Sequence, residues 1–231
     1  MSKVFKKHET LFCILLIIIY IILNSYCINN YGVTNYKTVI INTIFSISLL
    51  ILIVLLKRTA YYGLIKVKEP KKFLYFIPLM IISSVNLWNG INITTSLKQT
   101  IFYILTMINI GFIEEIIFRG FLFKMMEKDG TKKAILVSSI TFGIGHIVNL
   151  LNGGDLIPTL IQISYAISLG YLFVTIFYHS KSLVPCIITH IMLNTLAIFN
   201  IDNLLSMYII PIVLIFISII YIIQINKCIS K

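Results

Sequence analysis

Eight apolar runs, at about 11–28, 38–56, 73–89, 100–123, 134–151, 157–178, 183–200 and 204–225, limit what this chain can become more than any other feature. Runs of about 17–25 apolar residues are long enough to cross a bilayer as helices. Charged residues make up 12% of the chain, against roughly 25% in soluble domains. The reading is therefore an all-α, polytopic membrane helix bundle of about eight transmembrane helices, with residues 1–231 as a single integral-membrane domain.

Charge placement gives this bundle an expected orientation. Of the nineteen Lys and Arg residues, sixteen fall before the first run, in alternate loops, or after the last run. Only Lys37 and Lys98 occupy the intervening loops, and Arg119 lies inside a run. Basic loops stay in the cytoplasm, so both termini are expected there. The net charge of +11 thus reports membrane orientation, and nucleic acid is not an expected partner. The stretch 57–72 alternates Tyr61, Tyr62, Leu64, Ile65 and Val67 with basic residues, and is expected to lie along the cytoplasmic headgroup layer. A basic start before an apolar run resembles a signal peptide, but no small-residue cleavage site follows, and an uncleaved first span is expected. The abundance of Asn, Ile and Lys points to a bacterial source and a plasma-membrane location. Cys13, Cys27, Cys186 and Cys228 form no CxxC pair and have no zinc spacing.

Five ionisable residues fall inside the runs: Glu114, Glu115, Arg119, His146 and His190. Ionisable groups in hydrocarbon are costly and mark functional sites by default. On a helix Glu115 and Arg119 are four apart and share a face, with the acid on the favourable N-terminal side. Glu114 is rotated about 100° away and has no such local partner. Counted from the nearest basic loop at a rise of about 1.5 Å per residue, Glu114, His146 and His190 lie roughly 15, 20 and 14 Å deep. Phe142 shares a helix face with His146, and Gly143 and Gly145 would allow close helix approach. His190 and Asn194 share another face and would present two donors side by side, suited to a developing oxyanion. A structural ion network or a polar clamp between helices would use the same residues. Cys186, one turn before His190, makes a Cys–His dyad conceivable, and no GxSxG or HExxH occurs.

Glu114-Glu115-x-x-x-Arg119, Phe142-x-x-x-His146 and His190-x-x-x-Asn194 together resemble the three ordered motifs of the CPBP family, the CAAX prenyl proteases and bacteriocin-processing enzymes also called Abi proteins. The motifs lie within residues 110–195, in family order and on separate runs. The resemblance implies an intramembrane endopeptidase acting on a peptide or membrane-protein substrate in the lipid bilayer. It implies that Glu114 and His146 activate a water, that His190 and Asn194 stabilise the oxyanion, and that Glu115 and Arg119 are structural. It leaves two chemistries open. In one, Glu114, His146 and His190 bind a divalent metal such as zinc. In the other, Glu114 is a metal-free general base. These residues are expected to line one water-accessible cavity open to the cytoplasm. The alternative within the same family is a bacteriocin self-immunity or phage-exclusion protein that acts by partner binding. A small proton-coupled transporter is a third class, disfavoured by the lack of Gly/Pro-broken helices in matching halves.

Overall fold

The computed structural model describes residues 8–201 and 203–229. Lys3, Lys6, Lys7 and Lys231, which entered the orientation argument, and Asp202 lie outside the described residues.

The described residues are helical, with a helix at each of the eight apolar runs. We label them α1 (Glu9–Tyr31), α2 (Tyr36–Leu55), α3 (Ile77–Ser84), α4 (Leu97–Glu115), α5 (Thr131–Gly145), α6 (Leu156–Ser180), α7 (Val184–Leu196) and α8 (Ile210–Ile229). Six helical stretches among the described residues are long and apolar enough to cross a membrane, and Val184–Phe199 is a shorter apolar one. The chain is a multi-pass helical membrane protein.

Local chemistry sets the boundaries. At the start of α4, the Ser96 side chain accepts from the Gln99 backbone and the Gln99 side chain accepts from the Ser96 backbone, so each satisfies an otherwise orphaned donor. Asn35 caps α2 by accepting from Lys37 N at 2.9 Å. The run 73–89 is not one helix. Pro78 has no N–H to offer the Leu74 carbonyl, and its ring would clash there. Leu74, Tyr75 and Phe76 take left-handed φ values of 49°, 50° and 61° just before α3. They close a short 3₁₀ segment, Pro70–Phe76, which thus contains the break.

The helix carrying the acidic doublet continues beyond Glu115 as a wider π-helical stretch, Ile116–Phe123. Such stretches concentrate at functional sites. The widened turn leaves the Phe118 carbonyl accessible to Ser138 of α5, whose hydroxyl donates to it at 2.9 Å. Close approach elsewhere depends on glycine. A Cβ on Gly143 would lie 2.3 Å from Ile167 Cγ1 and 2.9 Å from Ile167 N, so α5 lies directly on α6. A Cβ on Gly111 would meet Ile191 Cγ1 at 2.9 Å, where α4 meets α7. Gly145 is looser, with Phe118 Cζ at 4.0 Å.

The two ends of the bundle differ. Glu9 pairs with Lys128 and lies 3.9 Å from Arg58 Nη1, and His179 Nε2 is 3.3 Å from Asn226 Oδ1. These contacts gather the chain's basic loops at one end. At the other, Asn29 Nδ2 donates to Asn152 Oδ1 at 3.0 Å and Asn92 N donates to Phe199 O at 2.9 Å.

In the stretch after α2, two residues reach into the bundle. Tyr62 is fully buried, its ring 4.6 Å from Phe121, and burial pushes its phenol up to about 12. Gly63, at φ +75°, accepts from Leu183 N at 2.8 Å, and a Cβ there would strike Phe177 at 2.3 Å. Aromatic contact and a backbone hydrogen bond thus draw Tyr62 and Gly63 into the basic end as a plug, while most of 57–72 stays exposed.

Candidate active site

The four elements that meet around Glu114 bring together residues far apart in sequence. Glu114 is on the last turn of α4, His146 is at the end of α5, His190 is in the middle of α7, and Tyr20 is on α1. Glu114, His146, His190 and Asn194 all line one cavity of about 380 Å³. A smaller one, of about 60 Å³, lies on the α1 side, shares Glu114 and His146, and adds Tyr20 and Asn24.

Glu115 and Arg119 form the i,i+4 pair at 3.0 Å, both fully buried. Their burial leaves Glu115 Oε2 and Arg119 Nε and Nη2 without hydrogen-bond partners among the described residues. The guanidinium lies over the Phe142 ring at 3.9 Å and within 5.7 Å of Phe173. Ring faces attract a desolvated cation, so this stacking supplies part of what the unpaired donors lack. A Cβ on Gly170 would lie 3.3 Å from Arg119 Nη2 and 3.2 Å from Ser139 Cα, so a larger residue would crowd the guanidinium.

Glu115 does more than hold Arg119. The same Oε1 is 2.8 Å from His190 Nδ1. A carboxylate can only accept, so Nδ1 carries the hydrogen and the other ring nitrogen points onward. That nitrogen, Nε2, is 3.4 Å from Glu114 Oε2. His190 thus stands between the two carboxylates of the doublet.

Glu114 is not without a partner, as the helix geometry alone implied. The Tyr20 hydroxyl donates to its Oε1. Tyr20 is itself buried, with its ring stacked on Phe45 of α2 at 6.4 Å. His146 Nδ1 is 3.2 Å from the Phe142 carbonyl. The carbonyl can only accept, so Nδ1–H donates and Nε2 keeps its lone pair. Phe142 is the common neighbour, edge-on to His146 at 5.2 Å and to His190 at 5.7 Å.

Asn194 contributes its backbone as well, since its carbonyl accepts from Tyr103 OH at 3.2 Å. Polar groups not anticipated from sequence complete the wall. Asn149 Nδ2 donates to Gln162 Oε1 at 2.8 Å, and Asn86 Nδ2 donates to the Leu193 carbonyl at 2.7 Å. Cys186 is fully buried and its thiol donates to the Phe173 carbonyl at 3.3 Å, which removes it as a partner for His190.

No group of three His, Cys, Asp or Glu side chains is arranged to hold a metal ion among the described residues. Each imidazole gives its Nδ1–H to a protein acceptor, an arrangement that suits a water-orienting base and an Nε2 metal ligand alike.

The cavity extends from Glu114 toward the end of the bundle opposite the basic loops. From Glu114 its lining continues along α4 through Ile110 and Met107 to Tyr103, away from the basic loops.

Residues 96–196 match the model of the Rce1-like family, described as type II CAAX prenyl endopeptidase Rce1-like. The matched segment is a little under half of the chain; it starts at the cap of α4, ends with α7, and contains all three motifs. No curated protein and no solved structure gives a match.

Proposed function

We propose that this chain, whose residues 96–196 match the Rce1-like family model, hydrolyses a peptide bond inside the membrane at Glu114. The observation that carries this reading is the convergence of Glu114, His146 and His190 from three helices on one cavity. The chain would act as one integral-membrane domain of a cell membrane, on a peptide or a membrane-protein segment.

In this mechanism a water lies between Glu114 and His146. Glu114 removes its proton as the oxygen attacks the carbonyl carbon. The free Nε2 of His146 orients the water and shares that proton. The attacked carbonyl oxygen becomes an oxyanion, and Asn194 donates to it together with the Nε2–H of a doubly protonated His190, whose Nδ1–H is already given to Glu115. Donors fixed in advance in a water-poor site stabilise such charge strongly. The proton then passes to the leaving amine as the C–N bond breaks. Glu115 holds the His190 ring in one orientation through Nδ1–H, as a buried carboxylate does for a catalytic imidazole. Arg119 balances Glu115, and Phe142 spaces the two imidazoles.

The test is purified protein in detergent or liposomes, challenged with a peptide library. His146→Ala is expected to abolish cleavage, and Asn194→Ala to slow it about 10²–10³-fold, as loss of one oxyanion donor does. Cleavage measured with and without a chelator separates the metal-free general-base chemistry from the metal-assisted one, since the ring-nitrogen contacts above fit both. Undiminished cleavage by His146→Ala would overturn the assignment.

A further inference from the structure

The cavity around Glu114 has a mouth and a floor. On α4 the lining steps from Glu114 toward Leu97, and on α7 from His190 to Ala197 just past the helix end. On α6 it steps from Phe173 back to Gln162, and on the last helix from Leu214 back to Ser206. All four directions lead to the same end of the bundle, the end whose loops carry only Lys37 and Lys98. Exposure follows that axis. Ala197 is exposed and Gln162 and Ser206 are half-buried, whereas the Glu114 side chain is 14% exposed and that of Glu115 is 0%.

The floor is closed. Beneath Glu115 lie Phe118 and Phe121, and beneath these the plug, with Tyr62 at 0% exposure. Phe123 and Phe177 pack edge to face at 5.8 Å across the same level, both buried. A peptide coming from the basic end would have to displace this aromatic layer.

The path from the mouth suits a polypeptide. Its walls present the amides of Asn86, Asn149, Gln162 and Asn194, which supply donors and acceptors for an extended main chain, and no Lys or Arg. Asn86 and Ser206 lie outside the segment matched by the family, so part of this entry path belongs to the rest of the chain.

We propose that the substrate segment reaches Glu114 from the end opposite the basic loops, which the positive-inside rule makes the extracytoplasmic face. This rests on the protease reading for its substrate, but the access route can be measured without any activity.

The protein carries its own reference for sidedness. Cys228 is exposed and follows Lys227 at the basic end, while Cys13, Cys27 and Cys186 are buried. Met107 and Leu193 line the cavity between mouth and floor, half-buried, at mid-helix positions where only an aqueous cavity could bring a polar reagent. Met107→Cys and Leu193→Cys are reacted with a charged, membrane-impermeant methanethiosulfonate in sealed right-side-out and inverted vesicles. The expected result is labelling of both new cysteines in the orientation that protects Cys228, and loss of that labelling in the orientation that exposes it. Labelling from the Cys228 side, from both sides, or from neither overturns the proposal. Two positions on different helices guard against one variant that fails to fold. Cleavage that persists while labelling comes from the Cys228 side would keep the protease and remove the direction. Loss of the protease reading would leave the labelling result as it stands.

Discussion

His190 has a carboxylate at each ring nitrogen, Glu115 at 2.8 Å and Glu114 at 3.4 Å, and this explains why the two acids are adjacent. One orients the imidazole from below and the other works beside it. Removing Arg119 strands Glu115 in a fully buried position. Arg119→Ala is expected to cost roughly 3–5 kcal/mol of stability, seen as a lower thermal midpoint in detergent, whereas Glu114→Gln should keep the wild-type midpoint. The reverse order would assign the structural role to the wrong acid. Tyr20 makes a different expectation. A hydrogen bond to a charged group contributes about 1.5–3 kcal/mol to stability, so Tyr20→Phe should lower the thermal midpoint accordingly and slow cleavage by releasing Glu114. An unchanged rate would mean that Tyr20 only packs on Phe45. The Glu115–Arg119 pair was legible in the sequence because helix geometry fixes neighbours four apart. The Tyr20–Glu114 bond joins residues 94 apart, and no local periodicity reaches that far.

Among the elements, α5 and α6 show most clearly what the glycines do. A Cβ at Gly143 would meet the α6 backbone, whereas one at Gly145 would have only a distant ring beside it. Gly143→Ala should therefore destabilise the protein by about 1–3 kcal/mol, the usual cost of overpacking. Gly145→Ala should be close to neutral, and equal midpoints for the two would contradict the packing described. Both glycines look alike in sequence, since each precedes His146 in an apolar run. The broken helix before α3 was hidden for a related reason. Hydropathy counts apolar residues but does not see Pro78 stopping the hydrogen-bond ladder. The plug was missed because alternating Tyr and Lys fits a headgroup layer as well as a buried turn. Only the partners Phe121, Phe177 and Leu183 distinguish them.

For the whole molecule, hydropathy and motif order carried a long way. The helical membrane bundle followed from the apolar runs, and the three motifs spaced along them pointed to the family whose model matches residues 96–196. Depth arithmetic placed Glu114, His146 and His190 at a common level, and all three line one cavity. It could not say which way that cavity opens, because a residue near mid-membrane is about equally far from both faces. The direction is set by side chains at the two ends, the aromatic layer at one and the amides at the other. The most direct measurement of the central claim is the cleavage rate of reconstituted wild type against Glu114→Gln, at matched thermal midpoints and with one library peptide. The account predicts that cleavage is abolished in Glu114→Gln while its fold persists. Cleavage at the wild-type rate by a folded Glu114→Gln protein would contradict it.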